Sequence, residues 1–308
     1  MTATAADNPL VEFTEGIPER PIPDALVAAR RDVMAAVREL ATLKDADMET
    51  FWPWKGDGGG DNELRYGFYR IYEDFERAGI DAAKALGVSG AGRGRAAELI
   101  APATAARWDL QGILIQLPDE LWDKDPGDEQ WTIRQTLGHT IGGQRGYGAA
   151  TAWWQSQGLP ADSNLPTARP SHIYDVLPED DEEGEGTPAE VRARLDEVLD
   201  QSTERLACLP PERLAYGTRW MDFAVDIGFR IGRWSSHFRE HTIQVEKTMV
   251  LIGHQPTEVD RLIRLILAEW GRAEAVVYGS ADAGEAIATL AAAAGRARAT
   301  AAELVALT

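Results

Sequence analysis

Sulfur chemistry is nearly absent from this chain: one cysteine, Cys208, occurs in 308 residues. No intrachain disulfide is possible, nothing points to an oxidising compartment, and a cytoplasmic location is the expectation. No run of about 18 apolar residues occurs, which excludes a membrane-spanning helix. Basic residues are scarce relative to acidic ones, 31 Lys plus Arg against 50 Asp plus Glu, giving a formal net charge of −19. That balance excludes a nonspecific nucleic-acid binder, which needs a basic surface to displace counterions. It equally disfavours docking to anionic lipid. Met1 to Asn8 has neither a basic n-region nor an apolar h-region, so no signal peptide is expected. Sustained period-two alternation bounded by hairpin turns is also missing, which leaves an all-α class.

What is present is helical patterning. Hydrophobic residues at 44% and charged residues at 26% describe a globular chain long enough to bury a core without disulfides. Residues 1–23, with four prolines among charges, read as an irregular leader. Helices are expected over about 24–43, 62–86, 102–117, 132–157, 188–209, 222–252, 257–277 and 282–308. Thr132-Ile-Arg-Gln135 and Thr187-Pro-Ala-Glu190 have the spacing of capping boxes, and Thr257-Glu-Val-Asp260 opens a further helix. Residues 158–187 read as a long loop whose acidic run, Glu179 to Glu183, belongs in solvent.

A faint repeat adds organisation. Ala28-Ala-Arg-Arg-Asp-Val33 recurs as Ala105-Ala-Arg-Trp-Asp-Leu110, each followed by a Trp-containing loop and another helix. The expected architecture is antiparallel helices in bundles, with residues 98–256 forming one bundle. Additional helices over 24–97 and 257–308 would form a second, pseudo-repeated unit split around it. A small-molecule substrate is the expected partner, with no nucleic acid and no membrane.

The five histidines carry the chemistry. His237 and His241 are four residues apart, which puts both imidazoles on one helix face, about a turn apart. The stripe Ile227, Ile231, Trp234, Phe238 and Val245 turns that face inward. His139 lies on the helix over 132–157, on a face shared with Gly143, Gly146, Ala150 and Trp153. Gly138, Gly142, Gly143 and Gly146 are costly in a helix and allow either close packing or open space before His139. Three neutral imidazoles would leave coordination positions free, the pattern of a catalytic site, and suit zinc, nickel or iron. The same spacing also fits two buried, hydrogen-bonded histidines with an unrelated third. His172 and His254 read as surface residues, and Cys208 as a small buried one.

Trp131-Thr-Ile-Arg-Gln-Thr-Leu-Gly-His139 resembles the second-helix motif of the DinB superfamily, the DinB/YfiT-like metalloenzymes. His237-x-x-x-His241-x-x-Gln244 resembles the family's later motif, in the right order and at a fitting separation. The resemblance covers residues 98–256. It implies a four-helix bundle with a divalent metal on His139, His237 and His241, and a homodimer. Characterised members include mycothiol-dependent maleylpyruvate isomerase and bacillithiol or mycothiol S-transferases, so a low-molecular-weight thiol is implied as co-substrate. Related sulfoxide synthases carry Glu two residues after the last His; Ile243 stands there.

The resemblance thus implies a metal-dependent thiol transferase or isomerase acting on a small electrophile. A non-catalytic metal-binding or stress-related interaction protein and a metal-dependent hydrolase are the competing expectations. Arg134, Arg233 and Arg239 are candidates to orient a carboxylate, against a plain role in surface salt bridges. Trp108, Trp153 and Trp234 are candidate pocket walls, against plain core. No general acid or base is assigned.

Overall fold

Capping residues decide where the long helices start. The computed structural model describes residues 9–54, 62–90, 92–161, 164–166, 171–221 and 223–308, with the side chains of 171 and 172 outside it. In chain order its elements are α1 (Pro9–Glu12), α2 (Asp24–Leu40), α3 (Leu64–Ser89), α4 (Arg95–Leu114), α5 (Ile133–Gln157), α6 (Ser171–Tyr174) and α7 (Asp180–Gly184). There follow α8 (Pro188–Leu206), α9 (Pro211–Leu214), β1 (Gly217–Trp220), β2 (Phe223–Asp226), α10 (Ile227–Leu251), α11 (Glu258–Glu274) and α12 (Gly284–Val305). Thr132 and Thr187 each accept from the backbone N–H three residues on, as their capping-box spacing predicts, and Thr257 does the same at the start of α11. Asp226 caps α10, its Oδ1 accepting from Phe229 N at 2.7 Å. The start of α11 takes a second cap from a distance, because the Asp45 carboxylate accepts from the N–H groups of Glu258 (3.0 Å) and Val259 (3.1 Å).

Two hydrophobic cores result. One lies among α4, α5, α8 and α10, with Ile100, Leu137, Leu195, Ile231 and Phe238 inside it. The other lies among α2, α3, α11 and α12, with Val37, Phe75, Ile263, Trp270 and Leu290 inside it. The protein is an all-α bundle fold, and α4 against α11 joins the two cores. α4 is buried nearly all round because it serves both: Leu110 belongs to the first core and Trp108 to the second. Small residues let the two backbones approach. A Cβ on Gly112 would meet Arg264 Cα at 2.7 Å, and one on Gly271 would meet Trp108 Cβ at 2.7 Å.

A buried ionic cluster closes the same junction. Glu274 of α11 is fully buried and accepts from Arg30 of α2, Arg107 of α4, the indole N–H groups of Trp108 and Trp270, and the Tyr278 hydroxyl. Asp200 of α8 takes the outer side of both arginines. Burial alone would raise the Glu274 carboxyl, but Arg30 and Arg107 outweigh it and hold the group down at about 2.

Three expectations are corrected. The helix expected from 102 starts at Arg95 and carries Pro102 inside it, because buried Ala96, Ala97, Ile100 and Ala103 pack strongly enough to outweigh the lost hydrogen bond. The start of the helix expected from 222 is instead an antiparallel hairpin, β1 with β2, pairing Gly217 with Asp226 and Trp220 with Phe223. Its strands are four residues long, too short for alternation to register. The acidic run is not plain loop, although Glu179 to Glu182 are exposed as expected. Part of it forms α7, packed on α5, with Glu183 only 2% exposed and paired with Arg145 and Arg194. Residues 1–8 of the expected leader lie outside the described residues.

Candidate metal centre

α5 and α10 pack side by side in the first core and bring three histidines together. One ring nitrogen from each of His139, His237 and His241 lies within 4.8 Å of the other two. His237 and His241 are 3% and 9% exposed, whereas His139 is half-buried and opens toward solvent. The Trp131 ring, just before α5, sits 5.1 Å from the His139 ring. His172 lies outside the residues whose side chains are described, and His254 is half-buried beyond α10.

Hydrogen bonds orient two of the rings. His139 Nδ1 donates to Asp180 Oδ2 at 2.7 Å, and His241 Nδ1 donates to Gln244 Oε1 at 3.0 Å. Each bond leaves Nε2 as the lone-pair nitrogen of a neutral ring. His237 Nε2 lies 3.0 Å from His241 Nε2, and its Nδ1 is buried with no hydrogen-bond partner among the described residues. Placing the single proton of neutral His237 on Nε2 satisfies His241 and leaves a bare buried Nδ1. Placing it on Nδ1 sets two lone pairs face to face. The pair by itself is therefore poorly satisfied, as expected of nitrogens built to face a cation.

The electrostatics favour neutral rings at His237 and His241. Burial, then the neighbouring His241, His139 and Arg233, pushes His237 down to about 2. Burial also lowers His241, against the opposing effect of its bond to Gln244. Neutral imidazole is the form that binds a metal. The donor set thus fits a divalent ion of the zinc, nickel or iron kind.

A cavity of about 390 Å³ opens at His139. Gly142, Gly143 and Gly146 line it on the α5 side, and Tyr147, Tyr174 and Trp220 line its aromatic side. The Tyr147 ring is 4.8 Å from the His237 ring and 5.2 Å from that of Trp220. Arg230, 3% exposed, also lines it; its Nη1 donates to the Arg219 carbonyl at 2.6 Å, and its guanidinium lies 5.7 Å from the Trp220 ring centre. A larger open groove, about 650 Å³, runs past Arg95, Phe229 and Arg233, and none of the three histidines lines it.

The remaining sequence candidates sort differently. Arg134 pairs with Asp123, Arg233 pairs with Glu240, and Arg239 is exposed; none of them lines the cavity at His139. Trp108, Trp153 and Trp234 are core residues and not pocket walls. Trp220, Tyr147 and Asp180 take the places at the cavity that sequence reasoning left empty. Trp220 arrives on the unforeseen hairpin, and Asp180 on the unforeseen α7. Tyr147 was detectable, being two turns beyond His139 on the same helix face.

The sequence profile of the DinB superfamily matches residues 103–245. No curated protein and no solved structure matches the chain. The matched segment contains all three histidines and most of the helices that carry the first core. Residues 103–245 belong to the DinB superfamily.

Proposed function

We propose that this protein is a DinB-like, metal-dependent enzyme that transfers or isomerises through a small thiol, with His139, His237 and His241 as the metal ligands. The observation that carries the reading is the meeting of three imidazole nitrogens within 4.8 Å beside an open cavity. A divalent ion held by three protein ligands with a free position would stabilise a thiolate for attack on an electrophilic carbon.

The chain's own residues supply the rest. His237 and His241 are held by burial in the form that donates a lone pair. The glycines of α5 keep the approach to His139 open, and Tyr147, Tyr174 and Trp220 shelter an apolar substrate from water. The thiol is a co-substrate. Cys208 does not serve, because it is half-buried with Sγ 3.8 Å from the Gly279 carbonyl, does not line the cavity at His139, and burial pushes its thiol up.

Metal analysis of untagged protein tests the reading. Close to one equivalent of zinc, nickel or iron should survive desalting, and His237→Ala should lose it. A thermal-shift screen against small thiols should then raise the melting temperature of the loaded protein. Protein that retains no metal after loading would sink the proposal. Turnover that needs metal but no thiol would reassign the site to hydrolysis. Metal without thiol affinity or turnover would make the protein a non-catalytic binder.

A further inference from the structure

The acidic helix α7 has no part in the chemistry just described, yet α5 is shaped to receive it. A Cβ on Gly138 would stand 2.2 Å from the Asp180 carbonyl oxygen and 3.1 Å from Gly184 N. One on Gly142 would stand 2.3 Å from Asp180 Oδ1. Two helical glycines, each unfavourable in a helix interior, thus form a seat for one aspartate. The far end of α7 is clamped. Glu183, 2% exposed, pairs with Arg145 and Arg194, and Arg134 donates to the carbonyls of Gly184 (2.8 Å) and Gly186 (2.7 Å). A run of five consecutive carboxylates repels itself and belongs in solvent unless something holds it. Here it is held, and the carboxylate delivered to α5 is the one that meets His139 Nδ1 at 2.7 Å.

We infer that Asp180 is a positioning residue for the metal centre: it fixes His139 as the Nδ1–H tautomer and aims Nε2 toward His237 and His241. The inference rests on the metal-centre reading for its purpose, but the tautomer it assigns belongs to the metal-free protein as well. His241 has the matching device in Gln244, a neutral partner one turn along its own helix. His139 is the most exposed of the three rings and the only one on α5, so it has the most freedom to turn away. Carboxylate, carbonyl or amide partners on the distal ring nitrogen are the usual means of fixing a ligating histidine.

Two readouts test this on the full chain. Long-range proton–nitrogen correlation of the imidazole rings reports the tautomer without metal, and competition against a chromophoric chelator reports zinc affinity. In the wild type His139 should be the Nδ1–H form. Asp180→Ala should move it toward Nε2–H and weaken zinc by about 10–100-fold. Asp180→Asn, which keeps an acceptor oxygen, should retain the tautomer and lose less affinity. Gly138→Ala alters no side chain of the site, yet it should behave as Asp180→Ala by displacing α7. An Asp180→Ala protein with the wild-type tautomer and zinc affinity within about twofold overturns the inference. If the wild type binds no metal while Asp180→Ala still changes the tautomer, the metal-centre reading fails and the positioning role stands.

Discussion

Arg30 and Arg107, which occupy the same position in the two copies of the repeated stretch, both donate to Oε1 of Glu274. The repeat therefore has a physical consequence: two helices from different cores present the same cation to one buried carboxylate. Removing that carboxylate strands two guanidinium groups. Glu274→Ala should destabilise the protein by about 3–5 kcal/mol, the cost of breaking a buried pair from one side. Urea denaturation at neutral pH measures it. An effect below about 1 kcal/mol would mean that Asp200 alone satisfies both arginines.

The same carboxylate predicts an acid limb of stability. Its folded value, about 2, lies below the ordinary 4.5. A depressed carboxylate contributes stability that is complete above the unfolded value and is lost as pH falls through the folded one. The contribution should be complete near pH 5 and fade toward pH 2, by about 3 kcal/mol in all. Glu274→Gln removes this titration. The stability gap between wild type and Glu274→Gln should therefore narrow as pH falls across that window. A gap that stays constant would assign the acid sensitivity to other carboxylates.

Features set by near neighbours in the chain were legible in the sequence. The caps at Thr132, Thr187 and Thr257 depend on groups three residues apart, and all three form. The shared face of His237 and His241 follows from helix geometry alone, and the structure places His139 beside them. Features that depend on tertiary contact were not legible. Pro102 argued for a helix start, but packing of α4 on two cores carries the helix back to Arg95. The acidic run is exposed as expected except at Glu183, whose burial no local pattern shows because its partners Arg145 and Arg194 lie more than ten residues away on other elements. Asp180 reaches His139 across 41 residues, a separation no local pattern encodes. The β1–β2 turn includes Met221 at φ 50, a residue type that gives no turn signal.

The α4–α11 crossing offers a test of close approach. Gly112 faces the Arg264 backbone at 2.7 Å from where a Cβ would sit, so a side chain there must push two helices apart. Arg264 also holds Asp109 and Glu246, and that ion pairing would shift with it. Gly112→Val should cost about 1–3 kcal/mol. Gly295, on α12 with no described residue within 4 Å of its Cβ position, is the control. Gly295→Ala should add about 0.5–1 kcal/mol, the ordinary helix-interior gain. Equal effects of the two substitutions in thermal melts would mean that the crossing relaxes freely.

Gly143 and Gly146 separate the two reasons for glycine along α5. A Cβ on Gly143 would lie 2.6 Å from His237 Cε1 and 2.9 Å from its Nε2, inside contact distance of a ring that burial holds in place. Among the described residues a Cβ on Gly146 would meet only Tyr174, at 3.7 Å, an ordinary contact at the cavity wall. Gly143→Ala should therefore displace His237 and lower zinc affinity by about tenfold or more, with helicity unchanged or raised. Gly146→Ala should leave metal affinity alone and narrow the cavity, which a weaker thermal shift with thiol would register. Metal titration and the thiol screen on the two variants give a crossed result if the glycines serve ligand geometry and substrate space respectively. If both variants lose metal equally, the glycines serve the packing of α5 as a whole, and the cavity at His139 is its by-product.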